Sequence, residues 1–228
     1  MENKEDFDKR ARARALAADF AEQGDSVGWF EALYKESEGD LEKIPWGDLK
    51  PNAYFEAWSE KTHLKATRRK ALVVGCGLGD DAVYLDDLGF DVTAFDISPT
   101  AIEWAKRLHA DRNIQFEVAD LFEPYRGWLN AFDFVLEIYT IQPLPLEIRS
   151  RVIDAIAGFV APGGELVVVT RGRDNDAEPE RMPWPVSRKD LSQFEANALE
   201  QISFDEMPDE TDDEPCVRFV GHYRRPRS

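Results

Sequence analysis

At 228 residues, with 43% hydrophobic and 11% aromatic content, the chain is long enough for one domain with a sizeable core and short for two. Its 28 Lys and Arg against 45 Asp and Glu leave a formal charge of −17, which repels phosphate backbones and anionic lipid and argues against nucleic acid or membrane surfaces as partners. The distant pair Cys76 and Cys216 and three scattered histidines give neither a disulfide framework nor zinc-ligand spacing, so no metal is expected.

The charged N-terminus and the lack of any apolar run near the roughly 18 residues needed to span a bilayer predict a cytoplasmic protein. The first seventy residues read as helical. Asp6 to Gln23 is rich in Ala and Arg, Ser26 is placed to cap a segment running through Tyr34, and Asn52 to His63 follows a proline. Between the last two, Ile44-Pro45-Trp46-Gly47-Asp48 reads as a loop. After Lys70 short β-rich runs alternate with helical patterns: Ala71 to Val74 as strand, Asp80 to Leu88 as helix, Val92 to Phe95 as strand.

Ser98-Pro99 sets an N-cap and first-turn proline for a helix to about Ala110, followed by strands at Ile114 to Val118 and Phe132 to Ile138. Pro145 to Gly158 has helical spacing, and Pro162-Gly163-Gly164 turns the chain into a fifth strand, Glu165 to Thr170. Ser187 with Asp190 forms a capping-box pattern opening a helix to about Leu199. Gln201 to Asp205 and Val217 to Arg224 supply two closing strands, with the acidic stretch Asp205 to Glu214 as a solvated loop long enough for a lid. This alternation predicts an α/β fold with a doubly wound, mainly parallel sheet.

The sharpest local signal is Gly75-Cys76-Gly77-Leu78-Gly79 between a strand and a helix, where glycines let the backbone approach a ligand at the strand's carboxyl end. A nicotinamide-dinucleotide turn wants a third glycine three residues after Gly77. Here Asp80 and Asp81 stand instead, and they oppose a pyrophosphate while tolerating a sulfonium, an amine or a ribose. Asp96 ends the next strand about twenty residues on, the spacing of an acid that accepts ribose hydroxyls; the lesser alternative is that it merely caps the helix at Ser98.

Val74-Gly75-Cys76-Gly77-Leu78-Gly79, Phe95-Asp96, Ala119-Asp120-Leu121, Phe132-Asp133-Phe134-Val135 and Pro162-Gly163-Gly164 together resemble the ordered motifs of class I S-adenosylmethionine-dependent methyltransferases over roughly Lys70 to Thr170. The resemblance implies a Rossmann-like, seven-stranded sheet with an antiparallel final strand and S-adenosyl-L-methionine as cofactor. It implies Gly75, Cys76, Gly77 and Gly79 in the cofactor turn, Asp96 and Ile97 at the ribose, and Asp120 with Leu121 beside the adenine. One departure is Val73, where many members carry an acid. Trp29, Tyr34 and Pro45-Trp46 are spaced as in the thiopurine methyltransferase-like and small-thiol methyltransferase branch. That likeness implies that residues 1–69 fold as a helical cap over a core of 70–228, within one structural domain.

By the same resemblance Trp46 lies at the methionine end, and Trp29, Phe30 and Tyr34 wall the acceptor pocket, although single aromatics are more often core. Glu137, Tyr139 and Gln142 follow the fourth strand where acceptor-facing residues usually lie; Glu137 and Tyr139 are the catalytic candidates, Glu137 also a cofactor contact. Arg171 could offer a cation to an anionic acceptor. The expected activity is methyl transfer to a small molecule, most simply a thiol, by a monomer or weak homo-oligomer. The alternatives are an O- or N-methyltransferase of a secondary metabolite, a nicotinamide-dependent oxidoreductase and a cofactor-binding protein without catalysis.

Overall fold

A computed structural model of the protein describes residues 4–179, 181–209 and 216–227, with side chains from Lys9 onward. Three helices precede the sheet: α1 (Lys4–Glu22), α2 (Gly28–Ser37) and α3 (Ala53–Thr62). Asn52 opens α3 as its sequence position predicts, its side chain accepting from the N–H groups of Tyr54 and Phe55. Ser26 does not cap α2. The helix starts at Gly28, which makes Val27 the N-cap with no side-chain bond to give, and Asp25 does that work instead, its Oδ1 accepting from Val27 and Gly28 N–H at 3.0 and 2.8 Å.

The sheet runs in the order β3 (Gln115–Val118), β2 (Asp91–Asp96), β1 (Lys70–Val74), β4 (Phe132–Ile138), β5 (Val160–Arg173), β8 (Cys216–Arg224), β7 (Glu200–Asp209). The first five are parallel, and β8 is antiparallel to both neighbours. This is the predicted doubly wound order, with a two-residue strand β6 (Val186–Ser187) added beside β5. Helices α4 (Asp80–Asp87), α5 (Pro99–Leu108) and α6 (Arg149–Phe159) cover the faces, and α7 (Arg188–Leu191) and α8 (Gln193–Ala196) form a broken turn before β7.

Alternation along each strand divides the core between two faces. Leu72 and Val74 of β1 join Phe95, Val135 and the α6 residues Val152 and Ile156; Ala71 and Val73 join Ala94, Phe134 and Trp58. β1 is buried on both sides after Lys70, as a central parallel strand must be. Ser98 caps α5, its Oγ accepting from Ala101 N–H at 3.0 Å, with Pro99 in the first turn.

Four expectations need correction. Pro162-Gly163-Gly164 lies inside β5, at the register shift opposite Phe132 and Phe134, and not before it. The helix expected from Pro145 begins as a 3-10 turn, Leu146–Ile148, and that expected after Ser187 breaks at Ser192, although the Ser187–Asp190 capping box is present. The acidic stretch begins within β7 through Asp209, where cross-strand bonding to β8 outweighs its charge; residues 210–215, the rest of the proposed lid, lie outside the described residues. Among the described residues, no helix is long and apolar enough to cross a membrane.

Candidate functional site

A cavity of about 950 Å³ opens over the carboxyl ends of β1, β2, β4 and β5, where an open α/β sheet binds ligands. Its floor is the glycine turn. Gly77 has φ +53, and a Cβ there would stand 3.1 Å from Tyr34 Oη and 3.5 Å from Trp46 Nε1, so a side chain would project into the aromatic wall. Gly79 has a different duty. It caps α4 outside the cavity lining, and a Cβ on it would come within 2.7 Å of Phe116; its smallness serves helix packing rather than a cofactor.

Asp96 is buried at the end of β2, its Oδ2 accepting from Gly77 N–H and its Oδ1 from Ser98 N–H, both at 2.9 Å. Burial raises its pKa against these backbone bonds. The carboxylate borders the cavity and also ties the glycine turn to the start of α5. Ile97, Asp120 and Leu121 border the same end, with Asp120 Oδ1 accepting from Phe122 N–H at 2.8 Å. Cys76 lies in the turn with its thiol pKa pushed well up by burial, a packing residue and not a nucleophile.

Helix α2 reaches this end because Glu31 grips the start of α5: Ser98 Oγ, Thr100 N–H and Thr100 Oγ1 all donate to its carboxylate. That brings Trp29, Phe30 and Tyr34 to the cavity. The Trp29 and Phe30 rings stack at 3.9 Å between centroids, Trp46 meets Trp29, Phe30 and Tyr34 edge-on, and Trp46 Nε1–H donates to Tyr34 Oη at 2.7 Å. These rings stand beside Gly77 and α5, while Tyr139, Gln142 and Arg171 stand at the carboxyl ends of β4 and β5, and all six residues grouped as an acceptor wall border the same cavity.

Asp80 and Asp81, in the first turn of α4, face the cavity with Asp48. Burial, then Asp81 and Asp48, raises Asp80 to about 7; burial raises Asp81 to about 6 against a bond from Asn52 N–H, and Asp48 adds to the rise. Asn52 is the residue that sequence reading undervalued. Beyond capping α3, its N–H donates to Asp81 Oδ1 at 2.8 Å, and it borders the cavity together with Tyr139, whose hydroxyl pKa its side chain helps to lower. Only the cap is visible in local sequence.

Glu137 takes a place other than the one expected of it. It is 0% exposed and does not border the cavity; its Oε1 accepts from Thr140 N–H at 2.6 Å and Ile141 N–H at 3.0 Å, and its Oε2 has no hydrogen-bond partner among the described residues. Burial pushes its pKa up to about 8. In this geometry Glu137 shapes the turn that holds Tyr139 at φ +60, a backbone state that costs a non-glycine residue roughly 1 kcal/mol or more. Gln142 is also structural in part, its Oε1 accepting Arg171 N–H at 2.8 Å. Arg218 of β8, which carries no local signal, borders the cavity as well. None of the three histidines does.

Comparison with known proteins agrees with this geometry. Residues 71–164 match the family described as Methyltransferase domain. A 2-heptyl-1-hydroxyquinolin-4(1H)-one methyltransferase from Mycobacteroides abscessus is 32% identical over 128 residues, 54% of this chain and 55% of the relative. The chain spans about half the length of the curated relatives it matches. A solved structure described as "Conversion of a Disulfide Bond into a Thioacetal Group during Echinomycin Biosynthesis" is 26% identical with a TM-score of 0.68, covering 88% of this chain and 93% of that one. The N-methyltransferase NodS from Bradyrhizobium japonicum WM9, solved with S-adenosyl-l-homocysteine, shares the fold at 21% identity and a TM-score of 0.64, covering 86% and 99%. Residues 71–164 thus match a methyltransferase domain, and the fold around them is shared with solved methyltransferase structures.

Proposed function

We propose that the protein transfers the methyl group of S-adenosylmethionine to a small-molecule acceptor that reacts already ionised, a thiol before others. The cofactor fits the residues present: a buried carboxylate at the end of β2, a turn with no room for a side chain at Gly77, and carboxylates suited to a cation. Asp96 would hold the ribose hydroxyls, with Asp120 and Leu121 beside the adenine. With Val73 in place of an acid, Asp80 and Asp81 would supply negative charge for the ammonium group. When bound, the cofactor supplies the electrophile, a methyl carbon on positively charged sulfur. The chain's own work is then positioning: Trp46 and Tyr34 close the aromatic wall and exclude water, and the turn at Tyr139 borders the space an acceptor must enter to come within about 3 to 3.5 Å of the methyl carbon.

One observation carries the acceptor class: the titratable groups that the sheet and the turn after β4 bring to the β5 and β8 end are Tyr139, Arg171, Arg173 and Arg218, with Glu178 and Arg181 bordering the cavity from the loop after β5. A guanidinium accepts no proton, and burial raises the Tyr139 hydroxyl against the pull of Arg218 and Asn52. These groups favour an acceptor that ionises unaided, and a thiol with a pKa of about 8.5 does so more readily than an alcohol. The sulfur chemistry in the description of the 26% identical structure supports this reading. The hydroxyquinolinone in the mycobacterial relative's name supports a second one, O- or N-methylation of an acidic heteroaromatic. A monomer or weak homo-oligomer in the cytoplasm is the proposed setting.

Calorimetry with S-adenosylhomocysteine and NADH, followed by methyl transfer to thiols, phenols and ring nitrogens across pH, tests the proposal. Thiol turnover is expected to follow the thiolate fraction. Turnover of phenols or heterocycles alone would install the second reading, and binding of NADH without S-adenosylhomocysteine would overturn both.

A further inference from the structure

Met182-Pro183-Trp184-Pro185 runs along the cavity just before β6, and Met182, Pro183 and Pro185 border it. Its two prolines leave N–H groups only on Met182 and Trp184, so the segment cannot continue as a central strand and its carbonyls need donors from elsewhere. Side chains supply them. Arg149 Nη2 donates to Trp184 O at 2.9 Å and its Nη1 to Pro185 O at 3.3 Å, while Arg173 Nε donates to the same Pro185 O at 3.1 Å. Asp190 Oδ2, in α7, accepts from Arg149 at 3.0 Å, from Arg173 at 3.1 Å and from Ser187 N–H at 2.9 Å, and so fixes both guanidinium groups.

The two ends of the segment are tied to different parts of the molecule. Met182 packs against the N-terminal cluster that holds Trp29, Tyr34 and Trp104, and Trp184 N–H donates to Gln142 O at 2.8 Å in the turn after β4. Met182 to Pro185 is therefore a strap from the N-terminal helices to that turn, and the three residues it turns to the cavity are all apolar. Arg149, at the start of α6, is buried, and neither it nor Asp190 borders the cavity. A buried guanidinium whose Nε has no partner among the described residues stabilises less than a well-packed apolar side chain; what it supplies is a rigid fork that fixes two consecutive carbonyls. Rigid proline rings and the Trp29–Phe30 stack, which borders the same cavity, suit a flat apolar group.

We propose that the strap is the wall against which an apolar ring of the acceptor lies, and that Arg149 is its positioning residue, acting from outside the cavity. This rests on the methyltransferase reading of the same cavity. Contact with the wall is made alike in the bound acceptor and during transfer, so loosening the strap acts on the acceptor's KM more than on kcat and leaves the proposed cofactor contacts at Gly77 and Asp96 in place.

The test compares benzenethiol with 2-naphthalenethiol as acceptors, in the parent and in Arg149→Met, where Asp190 keeps Arg173 and Ser187 N–H. In the parent the second ring should raise kcat/KM about tenfold or more. In Arg149→Met that advantage should vanish through KM, with kcat within about threefold and S-adenosylhomocysteine affinity unchanged. Trypsin should cut after the exposed Arg181 about tenfold faster in the variant. Arg149→Lys keeps the charge at Asp190 but cannot fork to both carbonyls; it should show the same changes in smaller measure, and it serves alone if the methionine variant does not fold. The proposal is overturned by a parent that prefers benzenethiol, or that turns over neither thiol while binding S-adenosylhomocysteine. Unchanged cleavage after Arg181 in both variants overturns it too, as does faster cleavage with the preference between the thiols intact. If 2-naphthalenethiol slows cleavage after Arg181 in a parent that does not bind S-adenosylhomocysteine, the strap site stands and the methyltransferase reading falls.

Discussion

At the β1–β2 end of the cavity the residues that matter follow one another closely in the chain. The glycine turn, Asp96 and Ser98 span 75 to 98, and the carboxylate of Asp96 is held by backbone N–H groups that any sequence would offer. At the β5–β8 end, Asn52, Tyr139, Arg171, Asp209 and Arg218 come from five separate stretches: an ion pair joins Arg218 to Asp209, the β5–β8 ladder sets Arg171 opposite Arg218, and the Arg218 guanidinium lies 5.5 Å from the Tyr139 ring centre. Local construction gives the first end a geometry fixed by the strand–turn–helix itself, while the second exists only once the whole sheet has formed. The proposed cofactor chemistry sits on the first end, and the proposed acceptor chemistry on the second.

The largest effect should come from the long-range end. Arg218→Leu leaves the Asp209 carboxylate buried without its guanidinium, which is expected to cost about 3 to 5 kcal/mol in urea unfolding. Adding Asp209→Leu should recover much of it. A single-variant loss below about 1 kcal/mol would mean that the pair behaves as a solvated one and that this end is less dependent on remote contacts than its geometry implies.

Gly77→Val attacks the local end and should act on ligand rather than fold. The left-handed φ costs roughly 1 kcal/mol for an L side chain, and the branched group would meet Tyr34 and Trp46; affinity for S-adenosylhomocysteine should fall about a hundredfold. Asp96→Ala should follow at roughly 1.5 to 3 kcal/mol of cofactor binding, because it removes the proposed ribose acceptor and also releases the Gly77 and Ser98 N–H groups. Faster amide exchange at Gly77 in that variant, with no ligand present, would separate the two losses. An intact turn and intact affinity would leave Asp96 with neither duty.

The same contrast explains what could be read in advance. The alternation of strands and helices in a mainly parallel sheet, the Ser98 cap and the placing of the glycine turn and Asp96 at strand ends were legible because each is a short-range pattern with a physical signature: buried runs, a cap followed by proline, glycines at a strand end. The displacement of α2's cap to Asp25 was not, since Asp25 and Ser26 are both good caps and the entry point is decided by how α2 docks through Glu31. Glu137 was misassigned because a glutamate at the end of a strand has the same sequence signature whether it faces the ligand or turns inward to catch Thr140 and Ile141 N–H. Asn52 and Arg218 gain their importance from partners far away in the chain, and no local pattern announces that.

The smallest expected effect is the most exacting for the comparison, because Glu137 supports the acceptor end without bordering it. Its pKa is 4.5 in the unfolded chain and is raised by burial to about 8 in the fold. The folded chain therefore binds a proton that the unfolded chain has released across that interval, so this contribution to stability is full below 4.5 and is lost as pH rises through about 8. Asp80 and Asp81, raised to about 7 and 6, add slope of the same sign to the cofactor-free protein, so the informative quantity is parent minus variant. Glu137→Gln copies the neutral acid, and its Oε1 can still accept both N–H groups. In mildly acidic buffer it should lie within about 1 kcal/mol of the parent. Its stability should fall less steeply through neutral pH, and above pH 8 it should be the more stable protein. Methyl transfer should persist across the range, since a turn held by a neutral acceptor presents Tyr139 just as a turn held by the acid does. Turnover lost equally at every pH, with folding and S-adenosylhomocysteine affinity intact, would return Glu137 to the reacting atoms and show that the acceptor end rearranges in the loaded protein.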